Sequence, residues 1–226
     1  MVISNKCNVH QKYVHLIECY SRGARLRLHA MLDLCNTLHH YVCGVEVKQD
    51  GYAVSCCCPA NSSCNFSVRS HINSHQKRIS KATLTAFEQK MATLNFSRLF
   101  NDFDDLFDYV ANNSGLRNKC CLLVYDFCLR KGHHMSPKLE PNEYVYLFSG
   151  ARQGAEAVLG KLKTNVYRLP TAFLQDALSA HSLTSMEIED FLCVCKSHLR
   201  RIGPLSQTTI SNLCNTHNII YNNTFI

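Results

Sequence analysis

The 226-residue chain contains no Trp and only five Pro and nine Gly. No run of apolar residues approaches the roughly 20 needed to cross a bilayer as a helix. The longest, such as Leu122 to Tyr125, are far shorter. That excludes a membrane-spanning helix. The opening stretch, Met1 to Tyr20, is interrupted by Lys6, His10, Lys12, His15 and Glu18. It lacks the unbroken apolar stretch of a secretory signal. The expectation is a cytoplasmic, intracellular protein in a reducing compartment. Internal repeats and low-complexity tracts are absent. So are a Gly-x-Ser-x-Gly elbow, a P-loop and an HExxH helix, the short motifs that would announce a hydrolase, an NTPase or a zinc protease.

What is present is unusual. There are 14 Cys and 12 His, with a formal net charge of +7. Without export, thiols stay reduced or hold metal rather than pair as disulfides. Cys120, Cys128, Cys193 and Cys195 sit in apolar, helix-like patterns and read as small buried hydrophobes. The positive charge favours an acidic partner such as nucleic acid. Apolar residues make up 46% of the chain, enough for a core without disulfide staples.

Periodicity gives a mainly α fold: a helical bundle-like domain with one small N-terminal β-hairpin, of possible helix-hairpin-helix type. Leu28, Met31, Leu32, Cys35 and Leu38 recur at helical spacing between Arg22 and Tyr41. Val42 to Lys48 and Tyr52 to Cys58 read as two strands around the turn Gln49-Asp50-Gly51. Past Pro59 the chain to Ser70 reads as a polar loop. Ser80 caps a helix to about Ala92, and Asn101 or Asp102 caps another through Val110. A third runs from about Asn118 to Lys131. Tyr144 to Phe148 is extended, and a small-residue helix starts near Gly150. Thr184 and Glu187 form a capping box for a helix to about Arg201, and Gly203-Pro204 ends it. Ser206 or Gln207 opens the last helix. These elements suggest residues 1–79 as a Cys/His-rich module and 80–226 as a helical domain.

Five local patterns carry candidate chemistry. Cys58, Cys64, His71 and His75 offer four N and S donors, the set a structural Zn requires. Twelve residues separate Cys58 from His71, and His71 and His75 would share a helix face. Cys43, on the partner strand, is a substitute donor. The alternative is a Cys-rich hairpin without metal. Asp102, Asp104, Asp105 and Asp108 are either converging carboxylates or the favourable charges of a helix N-terminus. Gly150, Ala151, Gly154 and Ala155 flank Arg152, either to admit a phosphate or to pack a helix closely. Lys196, His198, Arg200 and Arg201 end a helix, where cations suit the dipole and can also meet phosphate.

The remaining pattern is a helix, a break at Ser114-Gly115-Leu116-Arg117-Asn118-Lys119, and a helix. It resembles the hairpin of the helix-hairpin-helix DNA glycosylase superfamily over about residues 103–159. Gly115 matches the first Gly of the family's hairpin and Lys119 its catalytic Lys. Arg117 stands at the second Gly, and no Asp lies between Asp126 and Asp176 to match the family's catalytic Asp. The resemblance implies a loop whose backbone N–H groups grip a phosphate, and a Lys119 able to form a Schiff base with an abasic sugar.

The residue reading yields a nucleic-acid backbone-binding protein, DNA being the expected polymer. Its expected phosphate ligands are Gly115, Arg117, Lys119, Arg130, Lys131, Arg152, Arg200 and Arg201. Two alternatives stand beside it: a divergent glycosylase or lyase using Lys119, and a non-enzymatic subunit with a protein partner.

Overall fold

The computed structural model describes residues 9–49, 66–118 and 121–226. Among them are eleven α-helices and two small antiparallel strand pairs, so the fold is mainly α. None of these helices is long and apolar enough to cross a membrane. The chain forms two compact units. One comprises Met1–Arg25 and Asn142–Ile226, the other Leu26–Pro141. The division is not at residue 80, because α4 (Lys81–Ala92) packs on α3 (Leu38–Cys43).

The first unit holds α1 (Val9–Arg22), β3 (Tyr144–Tyr146), α7 (Ser149–Leu159), β4 (Arg168–Pro170), α8 (Thr171–Leu178), α9 (Ser185–Ile202), α10 (Gln207–Thr216) and α11 (Tyr221–Thr224). Helix α9 is its axis. The capping box forms as the sequence predicts: Thr184 receives the backbone at Glu187, and the Glu187 carboxylate accepts from the Thr184 N–H at 2.9 Å. Arg25 donates to the same buried carboxylate at 2.6 Å. Helix α7 lies flat on α9. A Cβ added to Gly154 would collide with the Leu192 backbone, and one on Gly150 with the Cys193 side chain. The small-residue stripe is therefore a close helix contact. Phe173, Phe191 and Leu192 are buried with α1 residues Tyr13, Ile17 and Tyr20 in one core. Each such large side chain contributes about 1.5–3 kcal/mol by leaving water. Strand β3 pairs with β4, Val145 opposite Leu169.

The second unit holds the rest of α2 (Ala24–Leu34), then α3, β1 (Glu46–Gln49), β2 (Phe66–Ser70), α4, α5 (Phe103–Asn113) and α6 (Leu122–His133). The single helix expected between Arg22 and Tyr41 is two, α2 and α3. Gly23 separates α2 from the end of α1, and Thr37 caps α3 through the His40 N–H. Val42 and Cys43 belong to α3 rather than to a strand, and Gly44, at φ +65°, ends that helix. Strand β1 pairs with Phe66–Ser70, Val47 opposite Val68; the stretch to Ser70 is not all loop. The expected strand Tyr52 to Cys58 lies outside the described residues. Phe87 and Phe127 meet edge-on at 5.6 Å in the core.

Inside this unit Arg130 is 1% exposed. Its guanidinium donates to Asp126 Oδ2 and Gln76 Oε1, each at 3.2 Å, and to the Tyr41 carbonyl at 3.1 Å. The expectation of Arg130 as a phosphate ligand is corrected: its two Nη groups are spent on these internal acceptors, and the buried guanidinium is out of reach of a phosphate in solvent.

Candidate functional site

Two groupings of functional side chains emerge, one in each unit. The first is a groove beside α9. Tyr13 and Tyr20 seat α1 on α9: Tyr13 donates to the Gly203 carbonyl at 2.8 Å and Tyr20 to Asp190 at 2.9 Å. Burial pushes the Tyr13 hydroxyl up to about 12, so it remains a neutral donor. With those residues turned into the core, the flanking face of α1 borders the last turns of α9. The result is a groove of about 370 Å³ lined by Gln11, Lys12, His15, Leu16, His198, Arg201 and Ile202. Its floor is apolar and its rim carries two fixed cations, Lys12 and Arg201, and two imidazoles. Lys12, His15, His198 and Arg201 are all exposed. Glu18 lies 3.7 Å from His15 as the nearby counter-charge. Arg200, just before Arg201, donates to Gln153 at 2.8 Å, and Lys196 to the Cys193 carbonyl at 2.9 Å.

Arg152 is not on that rim. Its guanidinium is spent on the carbonyls of Leu162, Lys163 and Val166, at 2.7 to 2.8 Å, and on Glu156 at 3.1 Å. It staples the loop after α7 to that helix, which corrects its expected role as a phosphate ligand.

The helix–break–helix pattern is α5, eight intervening residues and α6. Helix α6 begins at Leu122, later than the expected Asn118. Gly115 takes φ +71° with open space around it, and Arg117 is exposed. Lys119 lies outside the described residues. Lys131 is held inward, its ammonium over the rings of Tyr41 and Phe96 at 5.4 and 5.5 Å. Burial lowers its pKa. In the acidic cluster, Asp102 caps α5 through the Asp105 N–H at 2.8 Å, and Asp105 pairs with Arg98 at 3.0 Å. These two carboxylates serve the helix start.

The second grouping is His39, Cys43 and Glu88. Their ligand atoms all lie within 4.8 Å of one another, and no other such metal-sized group of three occurs among the described residues. Cys58 and Cys64 lie outside those residues. His71 and His75 sit on bends and turns before a short 3-10 turn, not on one face of an α-helix. His71 stacks on His40 at 5.6 Å, and His75 faces Asp126 at 3.4 Å. The expected ligand pair is therefore divided between different partners. The residues that do converge were legible only in part. Cys43 and His39 have a ligand's i, i+4 spacing, but Glu88 arrives from a distant helix with no motif to announce it.

No family model matches the chain, and neither a curated protein nor a solved structure matches it.

Proposed function

We propose that the chain is a nucleic-acid-binding protein that grips the phosphate backbone at the α1–α9 groove. Lys12 and Arg201 are the principal phosphate ligands, with Arg200 beside them. His15 and His198 add donors, and positive charge when protonated. The observation that carries this reading is the convergence of these four groove side chains. They come from segments so far apart in sequence that the Tyr13–Gly203 hydrogen bond beside them spans 190 residues. The chain's net charge of +7 supports the same direction. Arg and Lys heads bind phosphate oxygens without reading bases. The apolar floor of Leu16 and Ile202 offers a surface for a sugar or a base face. Arg117, exposed beside Gly115, is a further backbone contact.

The test is binding of the full chain to labelled duplex and single-stranded DNA and RNA across a salt series, with a borohydride trap on a duplex carrying an abasic site. Affinity that falls steeply with salt, without a covalent adduct, supports the reading. No binding at low salt refutes it and turns attention to a protein partner. A trapped adduct that disappears with Lys119→Ala would replace it with a lyase.

A further inference from the structure

We propose that His39, Cys43 and Glu88 form a binding site for a divalent cation of the zinc class, independent of the nucleic-acid groove. Three observations converge. His39 Nδ1 lies 3.1 and 3.2 Å from the two Glu88 carboxylate oxygens and 3.9 Å from Cys43 Sγ. A tetrahedral zinc, bonded at about 2.0 Å to nitrogen or oxygen and about 2.3 Å to sulfur, sets its ligand atoms roughly 3.3–3.6 Å apart. The two separations from His39 Nδ1 need shifts of only a few tenths of an ångström to meet it, and the Cys43 sulfur and Glu88 carboxylate lie within 4.8 Å of each other.

The site is also held in place from both sides. His39 and Cys43 are one turn apart on α3, so their side chains share a face. That helix is fixed by the Thr37 cap and packs on both α4 and α6. Glu88 comes from α4, 49 residues from His39 in sequence. A metal here would lock two helices that the backbone joins only through a long excursion.

The donor chemistry selects the ion. Imidazole and thiolate favour zinc and its borderline-soft neighbours over magnesium and calcium, which prefer oxygen alone. Cys43 is 3% exposed, whereas the His39 side chain is 50% exposed and that of Glu88 29%. One side of the site thus opens to water, which completes four-coordination. On binding, Cys43 releases its thiol proton to solvent as the sulfur–metal bond forms.

The experiment uses the full chain, stripped with a chelator and titrated with cobalt(II), whose sulfur-to-metal charge-transfer band reports thiolate ligation. His39→Ala, Glu88→Gln and Cys43→Ser are compared with the parent. His39 and Glu88 reach solvent, so their variants keep the fold, checked by circular dichroism, even if Cys43→Ser does not. The expected result is that His39→Ala and Glu88→Gln each bind one metal equivalent fewer than the parent and show a weakened band, while nucleic-acid binding is unchanged. A parent without a thiolate band overturns the proposal. So does full metal stoichiometry in His39→Ala or Glu88→Gln.

Discussion

Arg130 donates to Asp126 across one turn of α6, and both side chains are withdrawn from solvent. Gln76 binds both partners: its amide donates to Asp126 at 2.6 Å and its oxygen accepts from Arg130. A residue whose charge reads in the sequence as a surface contact is the centre of a buried network. Gly44 is part of the arrangement. A Cβ there would approach the Arg130 guanidinium to 2.8 Å, and the backbone stands at φ +65°.

Removing one partner leaves the other charged and buried, which costs about 3–5 kcal/mol. Arg130→Met is expected to lower the unfolding free energy, measured by denaturant titration, by that much. Its remaining folded fraction should bind nucleic acid with the parent's salt dependence. A variant of unchanged stability but weaker binding would return Arg130 to the list of phosphate ligands.

The same network sets a pH response. Burial pushes the Asp126 carboxyl up, but Arg130, with His75 and Gln76, outweighs it and holds it below the usual carboxylate range. A group depressed in the folded state stabilises the protein above its unfolded pKa of about 3.9. That stability is lost as pH falls through the lower native value. Acid unfolding of Asp126→Asn, measured against the parent, should therefore lack part of the loss seen below about pH 4. Identical acid profiles would contradict this.

Gly154 and Gly115 predict opposite causes for similar substitutions. Gly154→Ala forces α7 off the Leu192 backbone and should cost about 1–3 kcal/mol, as overpacking does. Gly115→Ala meets nothing, and its cost of about 1–2 kcal/mol comes from the left-handed backbone alone. D-alanine at position 115, introduced by semisynthesis, should restore stability there, whereas at position 154 it should not. Thermal unfolding of the four variants separates the two causes.

Cys128 is fully buried, and burial raises its thiol well above the ordinary value. Reactivity belongs to the thiolate. Under native conditions Cys128 should resist an alkylating reagent until the protein unfolds, while the half-buried Cys19 is modified early. Peptide mapping after timed labelling checks the order. Early modification of Cys128 would contradict the packing of α6.

Local signals in the sequence were the most readable. The caps at Ser80, Asp102, Thr184 and Ser206 sit where short polar side chains precede apolar periodicity, and each opens a helix in the structure. Tyr52 to Cys58, the expected second strand, lies outside the described residues. The strand β1 actually pairs with is Phe66–Ser70, whose residues are mostly exposed and leave no alternating pattern. The cations were hardest to sort. Arg152, Arg130 and Arg201 look alike in one dimension. Only packing shows that the first caps backbone carbonyls, the second fills a core and the third reaches solvent. Lys12 and His15 formed no motif, and His198 read only as part of a basic helix end, because the groove exists only once α1 lies on α9.

The most direct measurement is the salt dependence of DNA binding for the parent and for the Lys12→Ala, Arg201→Ala double variant. Each phosphate contact contributes about 0.9 to the slope of log affinity against log salt on duplex DNA. The groove predicts a double variant of parental stability, with weaker binding to every sequence and a slope shallower by about two. A parental slope and affinity in that variant would contradict the α1–α9 groove as the phosphate-binding surface.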